Sequence, residues 1–314
     1  MYYIGVDLGG TNIAAGLFNE SGQFIDKNSI PTQSRREAAE ILKDLAFLCK
    51  GIIEKNKLDL KEVDSIGIGS PGFCDSDNTV VVYSNNLNFH NVNIKEHINR
   101  YIDLPVFLDN DANCAAYGEN LYGACAGAQH SITVTLGTGI GGGIISNGKI
   151  VRGKSGSGGE IGHTTLVFGG EMCTCGRSGC WEAYASATAL IRDIKIAAIK
   201  NPTSMTYKEI DNDFNKVDAK FAFDMAEMGD PIAQKIVDDY IVYVSEGLAN
   251  IINIFDPEIV AIGGGVANRG EKIMAPIREL TAKNCFGGIL STKVVTAKLG
   301  NDAGIIGAAF LSKL

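Results

Sequence analysis

Hydrophobic and polar positions alternate with two different spacings along the chain, and these spacings predict a mixture of strands and helices. Short apolar runs bounded by glycine or turn residues predict strands, which are residues 2–7, 12–18, 23–30, 63–69, 105–109, two strands within 131–146, 259–262 and 293–297. Apolar residues three and four positions apart predict helices, which are residues 34–55, 93–101, a helix that begins at Asp111, and 183–200, 218–228, 231–254, 271–284 and 302–313. Strands that alternate with helices indicate an α/β protein with mixed sheets.

One part of this pattern occurs twice. Residues 3–18 (YIGVDLGGTNIAAGLF) and residues 131–146 (SITVTLGTGIGGGIIS) each predict a strand, a glycine turn and a second strand. We interpret the match as an internal duplication that gives two lobes, and two unrelated hairpins are the alternative. Glycines cluster between the copies, which places the expected boundary near residue 119.

Composition and net charge indicate a folded globular protein and argue against some classes of binding protein. The chain has 314 residues, of which 45% are apolar and 20% charged, so it predicts a folded globular protein of about two domains. The net charge of −8 argues against a dedicated nucleic-acid or acidic-membrane binder. Since there is no leader pattern after Met1 and no long apolar run, we expect a cytoplasmic protein.

Three glycine turns follow predicted strands: Gly9-Gly10-Thr11, Gly137-Thr138-Gly139 and Gly263-Gly264-Gly265. Glycine lets backbone N–H groups approach a phosphate closely, but none of the turns has the Walker A or Rossmann pattern. Each turn alone fits a plain hairpin, whereas three together favour a nucleotide held between lobes. Asp7, beside the first turn, could hold Mg²⁺ through water or could simply cap the turn.

A second candidate is the segment Phe107-Leu108-Asp109-Asn110-Asp111-Ala112-Asn113, which ends a strand and opens a helix. Asp and Asn are favoured helix caps, but one cap needs only one such residue. A carboxylate at the end of a strand could accept the proton of an attacking hydroxyl. Asp109 and Asp111 both fit that role on spacing alone.

A third candidate is a set of metal ligands, His163, Cys173, Cys175 and Cys180. Three thiolates and one imidazole suit a closed, structural zinc site, and the alternatives are buried free cysteines or a redox pair. If one nitrogen of His163 binds zinc, the other can donate a hydrogen bond. Glu160 and Glu182 flank the set and would present acceptors to a polyhydroxylated ligand, unless both are solvated surface residues.

Taken together, these parts resemble the ROK family of bacterial sugar kinases. The motifs that carry the resemblance are Asp7-Leu8-Gly9-Gly10-Thr11-Asn12, Asn110-Asp111-Ala112-Asn113, Leu136-Gly137-Thr138-Gly139-Ile140-Gly141-Gly142, Gly159-Glu160-Ile161-Gly162-His163, Cys173-Thr174-Cys175-Gly176-Arg177-Ser178-Gly179-Cys180-Trp181-Glu182 and Ile262-Gly263-Gly264-Gly265. The resemblance implies a two-lobed actin-like (ribonuclease H-like) ATPase fold with mixed sheets. It assigns residues 1–118 and the C-terminal helix 302–314 to the first lobe, and residues 119–301, with a zinc loop at 153–182, to the second.

The resemblance also implies roles for single residues. Asp111, rather than Asp109, matches the catalytic base. The expected sugar contacts are Asn86 (or Asn85), Asn110, Asp111, Glu160, His163 and Glu182. The expected contacts to ATP are Asp7, Gly9, Gly10, Thr11, Asn12, Gly137, Thr138, Gly263 and Gly264. His163, Cys173, Cys175 and Cys180 match zinc ligands.

The implied activity is ATP-dependent phosphorylation of a hexose at the 6-hydroxyl, with glucose as the first choice, and the implied cofactors are ATP, Mg²⁺ and structural Zn²⁺. Ala187 and Phe89 depart from the residues expected in the glucokinase branch, which bears on the choice of sugar. A kinase for N-acetylglucosamine, N-acetylmannosamine, fructose or allose is the alternative, and a sugar-sensing regulator is a more remote one. The family also suggests a homodimer or homotetramer, with no nucleic-acid or membrane partner.

Overall fold

The computed structural model describes residues 1–75, 77–289 and 291–314. Within them the strands are β1 (Tyr2–Leu8), β2 (Asn12–Asn19), β3 (Phe24–Pro31), β4 (Val63–Ser70), β5 (Phe73–Cys74), β6 (Val80–Ser84), β7 (Phe89–Asn93), β8 (Val106–Asn110), β9 (Ser131–Leu136), β10 (Ile140–Ser146), β11 (Lys149–Ile150), β12 (Ile259–Gly263) and β13 (Lys293–Thr296). The α-helices are α1 (Ala38–Lys55), α2 (Ile94–Asn99), α3 (Asp111–Tyr122), α4 (Glu182–Ala185), α5 (Ala187–Lys200), α6 (Met205–Ile210), α7 (Ala219–Glu227), α8 (Pro231–Phe255), α9 (Glu271–Asn284) and α10 (Ala303–Ala309). None of these helices is long and apolar enough to cross a bilayer.

The described residues form two compact units. The first comprises residues 1–133, 143–159 and 298–314, and the second comprises residues 134–142 and 160–297. The division into lobes at residue 118 stays a prediction from the sequence.

The first five-stranded sheet has the order β3-β2-β1-β4-β8. β1 is antiparallel to β2 but parallel to β4, and β4 is parallel to β8, so the carboxyl ends of three strands share one edge. The register pairs Asp7 with Gly69, and Gly69 with Asp109. Two strand spacings separate Asp7 from Asp109, about 10 Å, and this edge therefore gathers the predicted acidic residues.

Buried apolar side chains cover both faces of this sheet. One face packs on α1 and α2, and the other on α3 and α10. Gly67 allows α10 to approach, because a Cβ on Gly67 would lie 1.7 Å from the carbonyl oxygen of Ala308. A side chain at this position is excluded by backbone alone, and α10 is thereby fixed against the strands that end at the candidate site.

The second five-stranded sheet has the order β11-β10-β9-β12-β13, which matches the order of the first sheet strand for strand. An internal duplication predicts this equivalence. In the second unit, the long helix α8 begins with the side chain of Asp230 capping the N–H of Ile232 and with Pro231 in the first turn. It ends at Asp256, which adopts the left-handed conformation with φ 43°.

Three predicted helices differ from the observed ones. The helix predicted at 34–55 begins only at Ala38, because Glu37 before it is extended. The helix predicted at 183–200 is divided into α4 and α5 at Ser186, whose side chain caps the N–H of Ala189. The helix predicted at 302–313 ends at Ala309, and a 3₁₀ turn follows the buried Phe310.

Several short elements were absent from the sequence prediction. They are the small sheet β5-β6-β7, the two-residue strand β11 and helix α6. Each of these strands and helices is six residues or shorter.

Candidate active site and metal centre

The sheet edge of the first unit holds two carboxylates with different surroundings. Asp109 is 2% exposed, and its Oδ1 accepts the N–H of Asn110 and the Nδ2 of Asn113, both at 2.8 Å. Its Oδ2 accepts the Nε of Arg152 at 2.6 Å. Both oxygens of Asp109 are therefore engaged inside the protein, which leaves Asp109 poorly placed to accept a proton from a ligand.

Asp111 is half-buried at the first position of α3. Its Oδ1 accepts the backbone N–H of Ala112 at 2.8 Å, and no ion pair to it is found among the described residues. Of the two aspartates that the sequence left in competition, Asp111 is the one whose carboxylate has no cation bound to it.

Burial raises the pKa of Asp111, and the N–H groups of Ala112 and of Asp111 itself oppose the rise. The pKa of Asp7 is raised to about 6, mainly by burial and then by the negative charge of Asp111, and Lys27 partly offsets this. The pKa of Asp7 is thus sensitive to the charge of Asp111 at this edge. A cation or a proton would relieve that repulsion, which makes the edge a suitable place for the metal that accompanies a nucleotide.

Asn110 joins this edge to the chain that follows β4. Its Oδ1 accepts the N–H groups of Ala112 and Asn113 and so caps α3, while its Nδ2 donates to the carbonyl of Gly72 at 2.8 Å. The side chain is half-buried and retains one amide hydrogen beyond these contacts.

The first glycine turn is braced by the segment after β3. The hydroxyl of Thr32 donates to the carbonyl of Gly9 at 2.6 Å, and the N–H of Thr32 donates to the carbonyl of Thr11 at 2.8 Å. A Cβ on Gly10 would lie 3.3 Å from the carbonyl oxygen of Asn86, which places Asn86 directly beside the turn. Asn86 itself is exposed and available to a ligand.

The other two glycine turns are neighbours in the second unit. Gly264 has φ +94°, and a Cβ there would lie 2.1 Å from the carbonyl oxygen of Leu136, the last residue of β9. A Cβ on Gly137 or on Gly265 would meet no atom within 4 Å. The space beside Gly137 and Gly265 is therefore open to a ligand of phosphate size, while the N–H of Gly137 itself donates to the carbonyl of Gly139 at 3.0 Å.

Glu182 connects one of these turns to the cysteine-rich loop. Its Oε2 accepts the N–H of Ile140 at 2.8 Å, and its Oε1 accepts the hydroxyl of Thr174 at 3.2 Å. Gly139 is required beside it, because a Cβ there would lie 2.3 Å from the same Oε2. Glu182 is therefore a fixed, half-buried acceptor rather than a solvated surface residue.

The four predicted metal ligands converge. One donor atom each from His163, Cys173, Cys175 and Cys180 lies within 4.8 Å of the others. The Nδ1 of His163 is 3.6 Å from the Sγ of Cys173, and the Sγ atoms of Cys175 and Cys180 are 3.6 Å apart. Zinc–sulfur bonds of about 2.3 Å place two sulfurs of a tetrahedron about 3.8 Å apart, so the donor set fits Zn²⁺.

The two ring nitrogens of His163 lie near different groups. Its Nδ1 points to the sulfurs, while its Nε2 lies 4.0 Å from the Oε2 of Glu160. With Nδ1 on a metal, Nε2 carries the proton and can donate to a ligand. Glu160 is exposed and presents an acceptor next to that donor.

Each unit thus gathers one group of the predicted site residues. The first unit holds Asp7, Gly9, Gly10, Thr11, Asn12, Asn86, Asn110 and Asp111. The second unit holds Gly137, Thr138, Glu160, His163, Cys173, Cys175, Cys180, Glu182, Gly263 and Gly264.

The sequence reasoning missed two residues that support these groups, Arg152 and Thr32. Arg152 pairs with a carboxylate 43 positions earlier, and Thr32 bonds to a carbonyl 23 positions earlier. The periodic spacing of apolar residues gives no information about contacts between residues so far apart in the sequence. The only available signal was the position of Arg152 immediately before the glycine-rich run that leads to Glu160.

Comparison with known proteins identifies the family. The ROK family model matches residues 3–314. The chain is 39% identical over 312 residues to a glucokinase of Thermotoga maritima, which covers 99% of this chain and 96% of that protein.

Two solved structures are similar over nearly their whole length. A ROK family glucokinase from Streptomyces griseus, in complex with glucose and AMPPNP, has a TM-score of 0.82 and 35% identity, and 99% of each chain is covered. A ROK hexokinase from Thermus thermophilus has a TM-score of 0.84 and 35% identity, over 98% of this chain and 97% of that chain. The predicted fold class, a mixed α/β fold of the actin-like ATPase type, is confirmed. The chain belongs to the ROK family.

Proposed function

We propose that this protein transfers the γ-phosphoryl group of ATP to the 6-hydroxyl of glucose. The observation that carries the proposal is the different environment of two aspartates at one sheet edge. Asp109 is bound to Arg152, whereas among the residues that the structure describes none forms an ion pair with Asp111. The glucokinase of Streptomyces griseus, whose complex contains glucose and AMPPNP, supports the choice of both substrates.

Asp111 is the proposed catalytic base. Its carboxylate accepts the proton of the 6-hydroxyl as that oxygen bonds to the γ-phosphorus, and the bond from phosphorus to the leaving oxygen of ADP breaks. Because burial raises the pKa of Asp111, the carboxylate is a stronger base than a solvated aspartate.

The proposed sugar contacts supply both donors and acceptors. Asn110 offers an amide hydrogen, and Glu160 and Glu182 offer carboxylate oxygens. His163 offers the Nε2–H that faces away from the sulfurs. Asn86, beside the first glycine turn, completes the set, with its neighbour Asn85 as the alternative. Fixed groups of this kind suit a ligand with a hydroxyl on nearly every carbon.

The glycine turns are the proposed phosphate and adenosine contacts. Backbone N–H groups of such turns would stabilise negative charge on the transferring phosphoryl group. The residues assigned to this role are Asp7, Gly9, Gly10, Thr11, Asn12, Gly137, Thr138, Gly263 and Gly264. When bound with ATP, Mg²⁺ would neutralise phosphate charge, and Asp7 is the carboxylate proposed to hold it through water.

We further propose that Zn²⁺ at the four-residue donor set is structural. The four protein donors would fill all four positions of a tetrahedral ion, so no position would be open to substrate. The ion would fix the loop that carries His163 and leads to Glu182.

Other hexoses differ from glucose by single hydroxyl or acetamido groups, which are worth about 1–3 kcal/mol each. Phe89, one of the two positions that depart from the glucokinase branch, is 1% exposed and packs in the core of the first unit. Phe89 therefore influences the choice of sugar only through the preceding turn, which carries Asn85 and Asn86. Glucose remains the first choice.

The test is formation of glucose 6-phosphate. Purified protein, glucose and Mg-ATP are coupled to an enzyme specific for glucose 6-phosphate, and omission of ATP or glucose provides the blanks. We expect steady turnover that depends on both substrates. Consumption of ATP without glucose 6-phosphate would reject either the sugar or the position of transfer.

A further inference from the structure

We propose that Arg152 is a positioning residue for phosphoryl transfer, which acts on Asp111 through the buried carboxylate of Asp109. This inference rests on the proposed function, because it assigns Arg152 to the same reaction. Neither residue is expected to touch the sugar or the nucleotide.

The first observation is that Asp109 binds residues on both sides of the proposed base, Asp111. The Oδ1 of Asp109 accepts the backbone N–H of Asn110 and the side-chain amide of Asn113, and these two residues flank Asp111 on either side. Asn113 is 2% exposed, so this contact is made in the interior. One carboxylate oxygen thereby fixes the start of α3, where the side chain of Asp111 originates.

The second observation is the ion pair. The Nε of Arg152 donates to the Oδ2 of Asp109 at 2.6 Å, and the Asp109 side chain is only 3% exposed. A charge so deeply buried is costly without a partner, and removal of one member of such a pair is strongly destabilising. Without Arg152, Asp109 would have to gain water or a proton, and either change would disturb the contacts made by Oδ1.

The third observation is that Arg152 also organises the loop that follows it. Its carbonyl accepts the N–H of Gly158 at 2.8 Å, and a Cβ on Gly158 would lie 2.8 Å from the carbonyl carbon of Arg152. At the tip of the loop, a Cβ on Gly156 would lie 2.2 Å from the carbonyl oxygen of Cys74. Arg152 thus joins the segment that carries the base to the folded loop that precedes Glu160.

The consequence is geometric. A base must lie within hydrogen-bond distance of the proton that it removes, and a displacement of about 1 Å can reduce the rate about 100-fold. Loss of the ion pair should therefore reduce kcat. KM for ATP should change little, because the hydrogen bonds of Arg152 among the described residues go to Asp109 and Gly158 rather than to a glycine turn.

The experiment compares wild type, Arg152→Ala, Arg152→Lys and Arg100→Ala in the glucose 6-phosphate assay. We expect kcat of Arg152→Ala to fall about 10- to 100-fold with KM for ATP nearly unchanged. Arg152→Lys should recover part of the loss, since it keeps the charge but loses the planar guanidinium. Arg100, whose ion pair with Glu96 is solvent-exposed on both sides, is the matched control and should behave as wild type.

A double-mutant cycle with Asp109→Asn tests the route of the effect. If Arg152 acts through Asp109, the double variant should lose no more activity than the worse single variant. Losses that multiply would overturn the proposal, and so would wild-type kcat in Arg152→Ala. Melting temperatures of all variants identify any loss that is due to unfolding, and Arg152→Lys then decides the question at the smaller perturbation.

The activities of wild type, Asp111→Asn and Arg152→Ala distinguish an error in the role of Arg152 from an error in the proposed function. An inactive wild type would reject the function. An active wild type and an inactive Asp111→Asn, together with a fully active Arg152→Ala, would reject only the positioning role.

Discussion

Two aspartates of identical chemistry stand two positions apart at the end of β8, and their surroundings alone separate their roles. Both carboxylate oxygens of Asp109 accept hydrogen bonds, from Arg152, from Asn113 and from the backbone N–H of Asn110. Asp111 has no paired cation within the part of the chain that the structure describes. The sequence placed both residues at a strand end but contained nothing local that could tell them apart, because the deciding contact comes from 43 positions away.

The Asp111→Asn substitution tests the proposed base. The amide has nearly the same shape but cannot accept the proton, so we expect kcat to fall about 10²- to 10⁴-fold while glucose affinity changes little. Turnover is measured by the coupled assay and glucose affinity by calorimetry. Asp103→Asn, at an exposed position in the same unit, is the control and should retain activity. Near-normal turnover of Asp111→Asn would remove Asp111 from the role of base.

A second residue-scale prediction concerns pH and stability. The pKa of Asp7 is raised from 3.8 to about 6, so the folded protein holds this proton more tightly than the unfolded chain does. The free energy of unfolding should therefore fall as pH rises through this interval and stay low above it. Replacement by Asn removes the charge, and Asp7→Asn should gain about 1–3 kcal/mol over wild type at pH 7.

The check is urea unfolding of wild type and Asp7→Asn at pH 4 and pH 7, without nucleotide or Mg²⁺. The difference between the two proteins should be larger at pH 7. The same difference at both values, or a variant that is less stable at pH 7, would show that the charge of Asp7 carries no such cost. Asp7→Asn should also lose activity, since the carboxylate is proposed to serve the metal bound with ATP.

At the scale of elements, the segment from Glu160 to Glu182 has little regular structure. Its described structure is a 3₁₀ turn at Ile161–His163 and isolated bridges that pair Thr165 with Cys180 and Met172 with Ser178. Ile161, Cys180 and Trp181 are buried, and a metal ion would add a link between parts of the segment that no long helix or strand among the described residues connects.

The Cys175→Ser substitution tests whether a metal ion stabilises the segment from Glu160 to Glu182. Cys175 is the exposed member of the donor set, so its replacement disturbs little packing while it removes a thiolate. We expect loss of about one zinc per chain by elemental analysis, a lower melting temperature and reduced activity. Cys285→Ser, a cysteine outside the donor set, should retain zinc. A zinc-free Cys175→Ser protein with full activity would reject the structural role of the ion.

Elements with a strong local pattern were predicted well, and elements defined by distant contacts were not. The hairpin from Tyr2 to Asn19 follows from its apolar runs and glycine turn. The break at Ser186 depends on one cap bond to Ala189, and apolar spacing continues across it. Helix α10 ends at Ala309, and Phe310 after it is buried against the rings of Tyr3 and Tyr122, contacts that no local pattern contains.

At the scale of the whole molecule, the sequence established the fold class and the family through six motifs in a fixed order. The repeated sheet order, β3-β2-β1-β4-β8 and β11-β10-β9-β12-β13, agrees with the duplication seen in the sequence. The candidate residues fall into one group in each compact unit. The identity of the sugar depends on a few contacts, each worth about 1–3 kcal/mol.

The most direct test of the central claim is ADP release with Mg-ATP across a panel of sugars. The panel contains glucose, mannose, fructose, allose, N-acetylglucosamine and N-acetylmannosamine, compared by kcat/KM. We predict sugar-dependent ADP release with glucose preferred over the other sugars. ADP release that no sugar stimulates, from protein that is folded and loaded with zinc, would contradict the assignment of this chain as an ATP-dependent hexose kinase.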